Sequence, residues 1–217
     1  MASIDNNDGL IMRLAKSSPL ETMAACTASQ EPIRASHVGM TSPRRQEAEA
    51  FIRDIFHRHH AAYVRSFAPN LLLIERDDRV IAAAGWRGAE KESLFLESYL
   101  DEPVEILMQR LTGQVFSRER LVEVGHLASE KAGGSVHIIL ALARHLAQSG
   151  YEWVVFTATR ELVRIFTKLG LPLLALAKAD PVRLGEQARD WGSYYESQPV
   201  VVAGPIRLAL ERVGGAA

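Results

Sequence analysis

The stretch Leu121–Leu146, LVEVGHLASEKAGGSVHIILALARHL, reads as a strand, a glycine turn and a helix. Its strand half carries an acid and a histidine in an apolar run. In strict alternation Leu121, Glu123 and Gly125 share one face while Val122, Val124 and His126 share the other, so one of Glu123 and His126 is expected to point inward. A carboxylate taken out of water there has its pKa raised toward that of a general base, or it anchors a cationic amine. The alternative is an edge position at which Glu123 stays solvated. His126 fits a hydrogen-bonded structural histidine as well as a catalyst. The run Lys131-Ala132-Gly133-Gly134-Ser135 then breaks the strand, and Val136, Ile139, Leu140, Ala143 and Leu146 follow at helical spacing. Free N–H groups and the positive end of a helix dipole suit such a junction to phosphate, with Lys131, Gly133, Gly134 and Ser135 as the binding candidates. The run lacks the fuller spacing of a Walker loop or a Rossmann fingerprint, so a plain connection is the other reading.

Working outward, Ala48, Phe51, Ile52, Ile55, Phe56, His59 and Tyr63 recur at three- and four-residue steps, which predicts an amphipathic helix from Ser42 onward. LLLIERDDRVIAAAGWR predicts two strands joined tightly at Asp77-Asp78. SLFLESYL is expected to be a third strand, and Pro103 to open a short helix through Val104, Leu107 and Leu111. Beyond Gly150, EWVVFT has the continuous apolar character of a strand covered on both faces. RELVRIFTKL is a second amphipathic helix, and strands near Leu173–Ala177 and Gln198–Ala203 complete the pattern. A meander of strands followed by strand–helix–strand crossovers implies an α/β (α+β) fold, a mixed, mostly antiparallel sheet with helices on both faces.

Composition narrows the function classes. With 217 residues, 47% of them hydrophobic, and a formal charge of −1, the chain can bury one substantial core and offers no electrostatic case for nucleic acid. Residues 1–40 are polar and aperiodic, which predicts a loosely ordered arm ahead of a single domain at 41–217. Cys26 is the only cysteine, so neither a disulfide framework nor a thiolate metal site is expected. The leader shows no secretory pattern and no window reaches the length of a spanning helix, which predicts a cytoplasmic protein without a transmembrane segment.

Other residues gain meaning as a constellation. Glu97 interrupts the apolar run LFLESYL. If that segment paired with the strand of Glu123, the two acids would face one cleft, and Arg87 at the end of GWR would supply a counter-charge. His57-Arg58-His59-His60 suggests metal at first sight, but Arg58 lies between the histidines, so a solvated helix face is expected and no metal. DWGSYYESQP gathers Trp191, Ser193, Tyr194 and Tyr195 around one glycine. Such a loop either closes over an acyl chain, with Tyr194 protonating a leaving thiolate, or caps the core.

In order and spacing, FLESYLDEP, VEVGHLAS, the KAGGS turn, GYEWVVFTATREL and WGSYYESQPVVVAG resemble the bacterial thermostable hemolysin family, from about Arg44 to the C-terminus. The element order also resembles the acyltransferase fold shared by GNAT-type N-acetyltransferases and acyl-homoserine lactone synthases. In the synthases an arginine ends the second strand and a glutamate opens a Glu-Ser-Arg triplet on the fourth. Arg87 and Glu123 match those places, whereas Gly125 and His126 stand where the rest of the triplet falls. The resemblance implies a GNAT-like N-acyltransferase with no tightly bound cofactor. Its donor would be an acyl-CoA or acyl-carrier-protein thioester and its acceptor an amine-bearing small molecule. The family name implies a membrane-active protein instead, and a fold that binds acyl thioesters without consuming them is a third alternative.

Overall fold

The computed structural model describes residues 33–130 and 135–214. Lys131, Gly133 and Gly134 lie outside the described residues, as does most of the expected arm. Strands β1 (Arg34–Val38), β2 (Asn70–Arg76), β3 (Arg79–Gly88), β4 (Leu121–Ser129), β5 (Trp153–Ala158), β6 (Leu174–Lys178) and β7 (Val200–Pro205) form one seven-stranded sheet in the order β1-β2-β3-β4-β5-β7-β6. Only β4 and β5 are parallel neighbours; every other pair is antiparallel. The helices are α1 (Arg45–His60), α2 (Val104–Thr112), α3 (Ser135–Gln148), α4 (Arg160–Lys168) and α5 (Ile206–Gly214).

Alternation along the strands sorts the core into two layers. Leu71, Leu73 and Ala83 pack under α1, and Leu121, Val155 and Val201 under α2. Ala82, Val122, Val124 and Phe156 face α3, α4 and α5 on the opposite side. The expected helices on both faces are present. The hairpin at Asp77-Asp78 has positive φ at both residues, 52° and 55°, the backbone of the mirror-image turn that matches strand twist.

Three elements depart from the sequence reading. Arg34–Val38, within the expected arm, is an edge strand in antiparallel register with β2. Its residues alternate weakly, and a partner strand rather than local pattern holds them. The C-terminal helix α5 was not foreseen either. SLFLESYL is not a strand: Phe95–Tyr99 is a 3₁₀ turn. The reason is acidic. Glu97 accepts from the Leu94 N–H at 2.8 Å and Glu123 from the Phe95 and Leu96 N–H groups at 2.8 and 2.9 Å, so carboxylates satisfy the donors that a strand would have given to a neighbour.

Candidate active site

The site begins where β4 and β5 part. Their ladder runs from Leu121–Trp153 to Val124–Phe156 and ends there. Further on, Gly125, Ala128 and Ser129 pair with β3, while Thr157 and Ala158 pair with β7, leaving a V-shaped slot between the two strands. On β4, His126 and Leu127 together oppose the single residue Ala84, a β-bulge in which His126 has φ 52°. Gly85 makes room for it, since a Cβ there would lie 3.0 Å from His126 Nδ1.

The bulge corrects the expectation that Glu123 and His126 point to opposite faces. Leu127 packs with the layer of α3, α4 and α5, whereas His126 meets Phe56 of α1, Phe67 and Trp191, on the face that Glu123 shares. One extra residue has turned the histidine through the sheet.

Glu123 is 6% exposed and clamped. Besides the amides of Phe95 and Leu96, it meets Arg87 directly across the β3–β4 ladder, with Nε 3.3 Å from Oε2. Burial pushes its carboxyl above the ordinary carboxylate range; the Phe95 amide, Arg87 and the Leu96 amide pull the other way. Arg87 also lies 3.6 Å from Glu92. Burial pulls the His126 imidazole down to about 4, and the ring bonds the Ser66 backbone.

A cavity of about 690 Å³ joins these groups to both layers. One half is aromatic and carries Glu123, Arg87 and His126. The other reaches through the slot to Leu142 and Leu146 of α3, Phe156 of β5, Phe166 of α4 and Ala209 of α5. Trp191, Tyr194 and Tyr195 line the aromatic half. Burial raises both tyrosine hydroxyls above the ordinary phenol value. Their loop is strapped to the end of α1: the Ser193 N–H and hydroxyl donate to the His60 carbonyl at 2.8 and 3.3 Å, and the Tyr63 N–H donates to Asp190 at 2.5 Å. Gly192 sits so close that a Cβ would come 2.0 Å from that same carbonyl.

Over residues 38–210 the sequence matches the family described as Thermostable hemolysin. The chain belongs to the thermostable hemolysin family. No curated protein matches it in sequence. Solved structures show the fold of this hemolysin-family chain to be that of acyl synthases. The AHL synthase LasI superposes with a TM-score of 0.57 at 10% identity, covering 85% of this chain and 96% of that one. FeeM, an N-acyl amino acid synthase from uncultured soil microbes, gives 0.55 at 11%, covering 83% and 94%. BjaI, a CoA-dependent acyl-homoserine lactone synthase solved with SAM and isopentyl-CoA, gives 0.55 at 13%, covering 84% and 90%.

The structure brings Glu123, His126, Arg87, Trp191, Tyr194 and Tyr195 of the hemolysin-family chain to one cavity. Glu97 and Ser193 are elsewhere. Glu97 accepts from Arg118 at 2.7 and 2.9 Å and from the Val104 N–H that opens α2. Burial pushes its carboxyl up, but Arg118 and the amides of Leu94 and Val104 outweigh that and hold it below the ordinary value. Ser135 opens α3, at the end of β4 where the turn was expected. His60 lines the cavity edge-on to Tyr194, whereas His57 is exposed.

Sequence reasoning missed three contributors. Phe95 gives both an amide to Glu123 and a ring to the wall. Tyr99 shares a 2.5 Å hydroxyl contact with Tyr195. Arg118 ties Glu97, Glu105 and the Ala89 carbonyl together. No local signal marks any of them; only the fold sets them beside their partners. Among the described residues no helix is long and apolar enough to cross a membrane.

Proposed function

We propose that this protein is an N-acyltransferase, moving an acyl group from the thioester of acyl-CoA or acyl-carrier protein to an amine. The observation that carries the reading is Glu123, buried on β4 just before the strands part and held by Arg87 and two amides. Taking a carboxylate out of water is costly, and such an arrangement beside a cavity marks a working site.

In this reading the acyl chain lies in the apolar half of the cavity and the thioester in the slot. The pantetheine arm runs toward the start of α3, where Lys131, Gly133, Gly134 and Ser135 would meet the phosphate. Glu123 binds the ammonium of the acceptor and takes one proton. The amine nitrogen attacks the thioester carbon, and β4 backbone amides stabilise the oxyanion. As the intermediate collapses the C–S bond breaks, Tyr194, whose hydroxyl burial keeps neutral, protonates the thiolate, and the second proton of the nitrogen passes to the Tyr194 phenolate so formed. The products are an N-acyl amide and a free thiol, with one proton released.

Mass spectrometry of lipid extracts from cells overproducing the protein tests this. An N-acyl species is expected with the parent and is reduced about a hundredfold or more in Glu123→Gln, the scale of losing a general base. A Glu123→Gln protein that remains folded and acylates an amine at the parental rate rules the mechanism out.

A further inference from the structure

The groups around Glu123 narrow the acceptor further, a step that rests on the acyltransfer reading. The wall on this side of the sheet is made of rings. Trp191 lies 5.8 Å from Phe95, 5.7 Å from Tyr194 and 6.1 Å from Phe56, and stacks at 24° over His126. All of these rings line the cavity.

Immediately around Glu123 the charge is one-sided. Arg87 is shared by Glu123 and Glu92, so these three sum to −1. Of the nearby guanidiniums Arg65 pairs with Asp190, while Arg45 and Arg53 share Glu49, Arg45 also donating to the carbonyls of Ala68 and Pro69; none of the three arginines lines the cavity. Arg160 and Arg164 line the cavity from α4, and Arg160 donates to Gln198, just beyond the Tyr194–Ser197 turn. A carboxylate has about four lone-pair positions, and Glu123 accepts two hydrogen bonds, from the Phe95 and Leu96 amides, with Arg87 beside it as an ion pair. A guest therefore meets π faces and the Glu123 carboxylate, and Arg87, already shared by two carboxylates, is the one arginine or lysine of the described residues that lines the cavity from outside α4.

We propose that the acceptor is a cationic amine on an aromatic or apolar body that carries no carboxylate. The ammonium is satisfied by the open Glu123 position and by ring faces, which attract cations. The carboxylate of an amino acid would be buried beside Glu123 without a cation to match it, an arrangement that strongly disfavours binding.

Phenethylamine and phenylalanine differ by that one group. Calorimetry with CoA present measures binding of each, and mass spectrometry measures acylation from a long-chain acyl-CoA. Phenethylamine is expected to bind at least about tenfold tighter and to be acylated with at least about tenfold higher kcat/KM. Trp191→Leu should weaken phenethylamine binding about fivefold or more while Trp191→Phe retains it. Equal or better binding of phenylalanine, or no binding of either amine, overturns the proposal. Selective phenethylamine binding that Trp191→Leu abolishes, without acylation of any amine, upholds the pocket's preference and defeats the acyltransfer reading instead.

Discussion

His126 owes its place to a backbone that histidine seldom adopts. Its φ of 52° is tolerated because β3 offers Gly85 beneath it and Phe56, Phe67 and Trp191 enclose the ring. Enclosure keeps the imidazole neutral, and the consequence for stability has a definite sign. The folded-state value, lowered by burial, is about 4, against 6.5 in an unfolded chain. The unfolded chain binds the proton first, so stability present above pH 6.5 is lost as the pH falls toward 4. The limit of that loss is about 3 kcal/mol. Asparagine tolerates the same backbone, so His126→Asn should show a shallower decline of Tm across this window in calorimetric scans. His60 and His145 are lowered in the same direction and leave a remaining slope in the variant. An unchanged slope would show that His126 titrates normally in the folded state.

At the scale of elements, the 3₁₀ turn Phe95–Tyr99 supports the whole arrangement. One end presents amides to Glu123, and Glu97 within it caps α2 and meets Arg118. In the proposed reaction Arg118 would thus be a positioning residue, acting on Glu123 through the turn. Its side chain is 28% exposed, so the ion pairs are partly screened. Arg118→Met leaves Glu97 and Glu105 without their cation and should lower stability by about 2–3 kcal/mol, read from the urea midpoint. Turnover should fall beyond what lost stability explains, because the Phe95 and Leu96 amides move. Arg118→Lys is expected to restore only part of both, since an ammonium lacks the planar fork that spans the two carboxylates.

For the whole molecule, the family description and the architecture point in different directions. No helix of the described residues spans a bilayer, and the sheet faces are covered by packed helices. Purified protein added to liposomes without an acyl donor is therefore expected to cause no prompt leakage, while liposomes given acyl-CoA and an amine together with the protein accumulate an amphiphilic amide and then leak. Immediate dye release by protein alone would assign the lysis to the chain itself. The family resemblance, most of the helix-and-strand order and the burial of an acid at Glu123 were legible in the residues, because hydrophobic period, turn chemistry and an acid in an apolar run are local signals. Three things were not. A bulge adds one residue without changing composition, so alternation placed His126 on the wrong face. A run as apolar as SLFLESYL suits a strand until its own Glu97 and the distant Glu123 claim its amides. Arg118 and Tyr99 have meaning only through partners that the chain brings close on folding. Sequence by itself determined which residues prefer the interior and which elements they form, since burial and backbone preference act over a few neighbours. Tertiary structure alone decided which buried groups share one cavity, because hydrogen bonds and ion pairs depend on distances that only the folded chain sets.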